Sequence, residues 1–149
     1  MSRPAPHALA DYPHQRIITT RWADNDAYGH VNNVIHYAYF DTVVNSYLIE
    51  HGVLDIATSP IVGFVVETGC HYFAPLTYPE TVTAALRVSQ LGRTSVRYEI
   101  ALFGEKSEIA AAQGHFVHVY VERATRRPVD LPTALRLALR PLEVSAAAD

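Results

Sequence analysis

Cysteine occurs once, at Cys70, which excludes an internal disulfide framework and a cysteine-built zinc site and fits a reducing compartment, the cytoplasm. Long apolar runs are missing as well. The densest, Ile61 to Val66, is six residues long and contains a glycine, far short of the ~18 uninterrupted apolar residues of a membrane helix. The first fifteen residues hold Pro4, Pro6 and Pro13 but no apolar core of a secretory signal, so Met1 to Gln15 reads as a loosely held arm. There is no surplus of positive charge: 12 Lys plus Arg stand against 15 Asp plus Glu, a net charge of −3, whereas a nucleic-acid binder needs a basic surface. Repeats and linkers are also missing. What is present is a chain of 149 residues, 49% of them hydrophobic, the length and composition of one domain with one core. We place that domain at residues 16–141, with 142–149 as a tail.

Hydrophobic patterning sets the order of elements. Arg16 to Trp22 is rich in β-branched residues and reads as a first strand. Six turn-forming residues follow within ten positions, namely Asp24, Asn25, Asp26, Gly29, Asn32 and Asn33, a loop that ends in a helix start. A helix from Asn32 or Asn33 to about His51 is expected, with Gly52 as its left-handed stop. Its apolar positions cover more than one stripe, so other elements must wrap it. Ile61 to Phe73 is a strand candidate closed by Pro75 and Pro79. Val82, Ala84, Leu86 and Val88 alternate with polar or small neighbours, and Val96, Tyr98, Ile100 and Leu102 repeat the pattern. The short links at Gly92-Arg93 and at Gly104 to Ser107 make these strands hairpins of an antiparallel sheet. Glu108 to Glu122 is a run too long to lie flat, so it must curve, with Gly114 as the place. Pro132 opens a short closing helix whose apolar stripe is Leu135 and Leu139. A single helix and a single sheet leave apolar faces uncovered, which points to an identical partner subunit.

The densest chemical stretch is Trp22 to Asn33, a carboxylate-bearing loop running into a helix N-terminus. Such an end presents unpaired N–H groups and a partial positive charge that polarise a carbonyl oxygen and stabilise an oxyanion. A carboxylate a few residues upstream can attack that carbonyl carbon or deprotonate a water that does. Loop aspartates commonly cap turns, and one of Asp24 and Asp26 is expected to do so. His30 has two readings, a donor to substrate or a lock on a backbone carbonyl.

The loop Asp24-Asn-Asp26-Ala-Tyr-Gly29-His-Val-Asn-Asn33, followed by Tyr37 and Asp41, by Gly92-Arg-Thr-Ser95 and by Thr125-Arg-Arg-Pro128 before Leu131-Pro132, resembles the hotdog-fold thioesterases of the 4-hydroxybenzoyl-CoA and acyl-CoA type over nearly the whole chain. The resemblance implies an α+β hotdog fold: one long buried helix wrapped by a curved five-stranded antiparallel sheet, with a short C-terminal helix. It also implies subunits whose sheets become continuous in a homodimer or homotetramer, active sites at the subunit interface, and acyl-CoA as substrate. Asp26 takes the family's catalytic position and Asp24 the structural one. The amide that polarises the thioester falls near Asn33, with Gly29, His30, Val31 and Asn32 lining the approach. Asp41 matches an orienting or structural acid on the helix. Arg93, with Thr94 and Ser95, matches a turn that contacts CoA phosphates, where a guanidinium makes charge-assisted bonds. The His-Val-Asn-Asn sequence is similar also to acyl-carrier-protein thioesterases of the same fold, where Asn and His are more active, which leaves the roles of His30 and Asn32, and the carrier, open.

Two other functions are compatible with such a site. A hydratase or dehydratase would use an acid and a histidine on a double bond, and a binding protein would hold an acyl thioester without turnover. The reading calls for no cofactor, no metal, no nucleic acid and no membrane. His115 and His118 lie three apart on a strand and so face opposite ways, and Cys70 beside His71 reads as inert core rather than as a nucleophile.

Overall fold

The computed structural model describes residues 3–145. In chain order the elements are β1 (His14–Thr19), α1 (Asn33–Glu50), β2 (Ile61–Tyr72), β3 (Thr81–Leu91), β4 (Ser95–Phe103), β5 (Ala112–Glu122) and α2 (Thr133–Leu139). The five strands form one sheet in the order β1-β3-β4-β5-β2, and every pairing is antiparallel. This is the curved five-stranded sheet, long helix and short closing helix of the hotdog fold.

The helix begins where its cap dictates. The Asn32 side chain accepts the Val34 N–H at 3.0 Å, satisfying one of the orphan donors of the first turn. At the other end Gly52 has φ +70°. The Gly52 N–H meets the Ile49 carbonyl and the Val53 N–H meets the Leu48 carbonyl, both at 3.0 Å, the paired bonds that a left-handed residue makes after a helix. Between the caps, His36, Tyr39, Phe40, Val43, Val44, Tyr47 and Leu48 are buried, a single stripe at helical spacing. Val34, Ala38, Asp41 and Thr42 are exposed. One chain thus encloses only one face of α1, where the apolar positions of the sequence had called for wrapping on more than one.

The concave face of the sheet supplies the enclosure. Val82, Ala84, Leu86 and Val88 of β3 and Val96, Tyr98, Ile100 and Leu102 of β4 are all fully buried against α1, as their alternation predicts. The chain passes closest at Gly114: a Cβ there would stand 2.1 Å from the Gly69 carbonyl oxygen and 2.7 Å from the Phe40 ring. Pairing register shifts between Val65 and Glu67 in β2 and between Val88 and Gln90 in β3, and such bulges increase local twist.

Four boundaries differ from expectation. The first strand starts and ends earlier, because the Arg21 N–H donates to the Asp24 carboxylate and turns Trp22–Asp24 into a 3-10 turn. The run Glu108 to Glu122 shortens to the eleven residues of β5: Ala110 bonds back to His7, and the Ala111 carbonyl receives the N–H groups of Phe73 and Ala74. Residues 7–12, read as a loose arm, are docked. The Leu9 N–H donates to Glu108 and the His7 N–H to Gln113, while buried Tyr12 joins Ala85, Ala101, Phe103 and Ala110 in a second small core on the outer face of the sheet. The tail is anchored at its start, where Leu142 is buried and the Val144 N–H donates to Val88 at the β3 bulge. Met1, Ser2 and residues 146–149, the outer parts of the expected arm and tail, lie outside the described residues.

Candidate active site

Asp24 and Asp26 have opposite environments although one residue separates them. Asp24 is buried. Its carboxylate accepts the Tyr39 hydroxyl at 2.6 Å, the Arg21 N–H at 2.9 Å and the Arg21 guanidinium at 2.8 and 3.0 Å. Burial opposes ionisation, but the Tyr39 and Arg21 donors outweigh it and hold the carboxyl below its ordinary value. The Asp24 carbonyl also accepts the Asn32 N–H at 2.9 Å, tying the loop to the start of α1. Asp24 is the structural partner.

Asp26 is half-buried and faces outward into a cavity. Its Oδ1 accepts the Tyr28 N–H at 2.8 Å, an Asx turn, and its own N–H donates to the His30 carbonyl at 2.8 Å. Gly29 closes the turn with φ +80°, a conformation that side-chain-bearing residues rarely adopt. Among the described residues no donor meets Asp26 Oδ2, so this oxygen is available for chemistry.

The cavity, about 370 Å³, lies between the loop with the first turn of α1 (Asp26, His30, Val31, Asn33, His36) and the segment Tyr72 to Leu76. The Val31 N–H donates to the Leu76 carbonyl at 2.7 Å and the Tyr72 hydroxyl to the Asn33 carbonyl at 3.2 Å, so both walls are fixed to each other. At the helix end, Asn32 provides the side-chain cap for Val34 and a carbonyl for the Ile35 N–H. Among the described residues the Asn33 N–H has no partner. A carboxylate with one oxygen free of donors and an unsatisfied helix N-terminus therefore open onto one space, an arrangement suited to acyl transfer.

The remaining site residues scatter. His30 is exposed at the cavity edge. Gly29 and Asn32 shape the backbone rather than line the space. Asp41 lies two turns further along α1 on the exposed face, with its pKa raised by partial desolvation. Arg93, Thr94 and Ser95 form the β3–β4 turn, where the Arg93 guanidinium pairs with Asp130 at 2.7 Å and the Thr94 carbonyl accepts the Tyr120 N–H. Ser95 is opposite Val119, whereas the cavity end of the sheet is at Leu102 and Ala112, about 23 Å away along β4 at ~3.3 Å per residue. One chain does not bring that turn to Asp26.

Two residues of the cavity were not singled out as chemical from the sequence. His36 is buried, its Nδ1 is 3.1 Å from the Asn32 carbonyl, and desolvation lowers its pKa despite that bond. Tyr72 packs edge-on against it at 4.9 Å. The signal for His36 was its position four residues after the cap, which returns its ring to the cap carbonyl. Cys70 is half-buried, and its thiol is pushed up to about 11 by burial, which suits packing and not nucleophilic attack. His118 faces inward and buried, whereas His115 pairs with Glu67 at 2.8 Å on the other side. Among the described residues no group of three or more His, Cys, Asp or Glu side chains is placed to hold a metal ion, and no helix is long and apolar enough to cross a membrane.

Among curated protein sequences none matches the chain. Solved structures do. The PA5185 protein of Pseudomonas aeruginosa is 52% identical, with 95% of this chain and 99% of that one covered and a TM-score of 0.92. A thioesterase from Thermus thermophilus, solved with coenzyme A and zinc, is 29% identical over 88% of this chain and 95% of its own, with a TM-score of 0.73. The PA2801 protein of Pseudomonas aeruginosa is 28% identical over 85% and 98% of the two chains, with a TM-score of 0.80. The profile of the Thioesterase-like superfamily matches residues 20–139. With that match spanning loop, helix and every strand of the sheet but β1, the chain belongs to the Thioesterase-like superfamily of hotdog-fold thioester hydrolases.

Proposed function

We propose that the protein hydrolyses an acyl-CoA thioester to the free acid and CoA, with Asp26 as nucleophile or general base and the Asn33 amide as oxyanion donor. One observation carries the reading: the free carboxylate oxygen of Asp26 and the unsatisfied first N–H of α1 share a cavity. The thioester carbonyl oxygen sits at that N–H, where the helix end stabilises the charge that develops on it. In the base route Asp26 takes a proton from water, the hydroxide adds to the carbonyl carbon, the C–S bond breaks, and the departing thiolate takes the proton. In the nucleophile route the carboxylate adds to the carbonyl carbon, the C–S bond breaks and the thiolate leaves, and water then hydrolyses the mixed anhydride, releasing the acid, restoring the Asp26 carboxylate and giving a proton to the thiolate. His30 and Val31 border the entering group. The structure solved with coenzyme A among the chain's relatives supports CoA as the carrier.

Assembly completes the site in this proposal. β2 is an edge strand of twelve residues, with Phe64, Val65 and Val66 exposed at 43%, 48% and 59%, an unpaired apolar edge that a lone subunit would not keep in water. Pairing two copies antiparallel through β2 makes a homodimer with continuous sheets and covers Val34 and Ala38 of α1. It also sets the Ile61 end of one copy beside the Tyr72 end of the other, which carries the Arg93-Thr94-Ser95 turn toward the partner's cavity, in reach of CoA phosphates, and brings Asp41 inside the interface. A reducing compartment, the cytoplasm, suits the one free thiol.

The test is thiol release from a graded set of saturated and aromatic acyl-CoAs, with Asp26→Asn compared at matched folding. Turnover is expected in the native protein, with a loss of about 10²–10⁴-fold in the variant. Native protein that leaves the whole set intact would overturn the activity. Turnover that survives Asp26→Asn would overturn the role of this carboxylate.

A further inference from the structure

A second cavity, about 350 Å³, lies at the other end of α1, between the last turns of that helix, the beginning of β2 and α2. Its walls are mainly apolar, with Leu48, Val53, Leu54, Ile61 and Leu135 among them. Exposed Gly52, Pro60 and Ala134 form its mouth. It shares no lining residue with the Asp26 cavity of the same chain. At ~30 Å³ for each water-sized group, it has room for roughly a dozen such groups, the size of one substituted ring.

One wall carries a buried polar side chain. His118 of β5 lines the cavity, is only 4% exposed, and among the described residues its Nε2 has no hydrogen-bond partner. Buried polar atoms are nearly always paired, and an unpaired one in a native protein needs a reason. The imidazole is held by its surroundings: Tyr98 meets it edge-on at 5.0 Å, Phe116 stacks at 5.7 Å, and the space it occupies exists because position 63 is glycine. A Cβ on Gly63 would stand 2.8 Å from His118 Nδ1 and 3.1 Å from the Tyr120 ring. Burial also lowers the pKa of His118 to about 4, so at neutral pH the ring is uncharged and offers no attraction to an anion. A neutral imidazole has one donor and one acceptor nitrogen, and a hydroxyl complements either one.

The geometry points to a small-molecule site in this cavity for an uncharged aromatic alcohol of the phenol class, its ring among the apolar side chains and the Tyr120 ring, and its hydroxyl on His118. The site does not depend on the thioesterase reading, because binding is read directly from the histidine.

The experiment titrates full-length protein labelled with ¹⁵N-histidine, at neutral pH, with 4-methylphenol, toluene and 4-methylbenzoate at millimolar concentrations, following the His118 ring resonances assigned by their loss in His118→Phe. Saturable shifts with 4-methylphenol are expected, with toluene several-fold to about tenfold weaker, the worth of one hydrogen bond, and no saturation with the carboxylate. His118→Phe keeps the packing and should bind 4-methylphenol and toluene alike, by intrinsic fluorescence or thermal shift. Ala134→Trp, at an exposed position of the mouth, leaves the fold intact and should abolish the shifts while the His118 signal persists. No saturable shift with 4-methylphenol, toluene binding as tightly as 4-methylphenol, 4-methylbenzoate binding as tightly as either, or shifts that survive Ala134→Trp would each overturn the proposal.

Discussion

Replacing Tyr39 by Phe tests the loop that presents Asp26. The variant keeps the ring, which packs in the main core, and removes one hydroxyl whose bond to Asp24 is 2.6 Å long and buried at both ends. A hydrogen bond to a charged group contributes about 1.5–3 kcal/mol. Three donor groups from Arg21 remain on the carboxylate, so the lower part of that range, about 2 kcal/mol, is expected. At about 2–4 °C per kcal/mol for a domain of this size, Tm should fall by about 4–8 °C. Arg21→Ala removes two of the guanidinium bonds, but its side chain is 72% exposed, and an ion pair screened by water contributes about 0–1 kcal/mol. Urea unfolding of both variants at pH 7 and at successively lower pH is the assay. Because the folded pKa of Asp24 is depressed, its stabilisation is complete above the unfolded value near ~3.9 and fades as pH falls through the folded one. The gap between native protein and Tyr39→Phe should therefore hold steady from neutral pH to about pH 5 and narrow below that. A cost for Tyr39→Phe under about 0.5 kcal/mol, a larger cost for Arg21→Ala, or a gap that widens in acid would refute the reasoning.

Gly114→Ala should fail to accumulate as folded protein, since its Cβ would stand 2.1 Å from the Gly69 carbonyl oxygen; soluble yield and circular dichroism check it. Gly29→Ala meets no neighbour within 4 Å but has φ +80°, so it should cost only about 1–2 kcal/mol in urea unfolding. His118 is depressed to about 4 by burial, so between about pH 4 and the unfolded value near ~6.5 the unfolded chain binds the extra proton and stability rises with pH. His118→Phe should flatten that limb by roughly 3 kcal/mol, measured as urea midpoints at pH 4.5, 5.5 and 7. Val66→Lys, at an exposed bulge of the β2 edge, should convert a sedimenting dimer to monomer and take thioesterase turnover with it.

Alternation made β3 and β4 legible in the sequence, because both strands have one face on the core and one away from it. α1 was legible from its caps, Asn32 and Gly52, whose chemistry is local. The division between Asp24 and Asp26 was less so: the sequence reading expected one of the pair to cap a turn, whereas each accepts a backbone N–H, and what sets Asp24 apart is Tyr39, fifteen positions on. The extent of β5 and the docking of residues 7–12 could not be read, since both depend on bonds between segments about a hundred positions apart. The distance between the β3–β4 turn and Asp26 was likewise invisible, because a motif match carries no register. The burial of α1, read from its apolar positions as more than one stripe, proves one-sided within the chain, since the pattern counts apolar residues such as Val34 and Ala38 that the fold leaves exposed.

Docking of residues 7–12 onto the β4–β5 connection has a consequence for how the chain comes to be folded on the ribosome. Leu9 and His7 emerge about a hundred residues before Glu108 and Gln113, their hydrogen-bond partners. Tyr12 likewise waits for Phe103 and Ala110. Closing so long a loop is slow and comes late, so the outer face of the sheet, with Ala85, Ala101 and Phe103 on it, assembles bare and is covered last. A fusion that obstructs this segment from the N-terminal side would leave that apolar strip open to other nascent chains during the interval, and would show its effect as aggregation during expression rather than as a change in the activity of what folds.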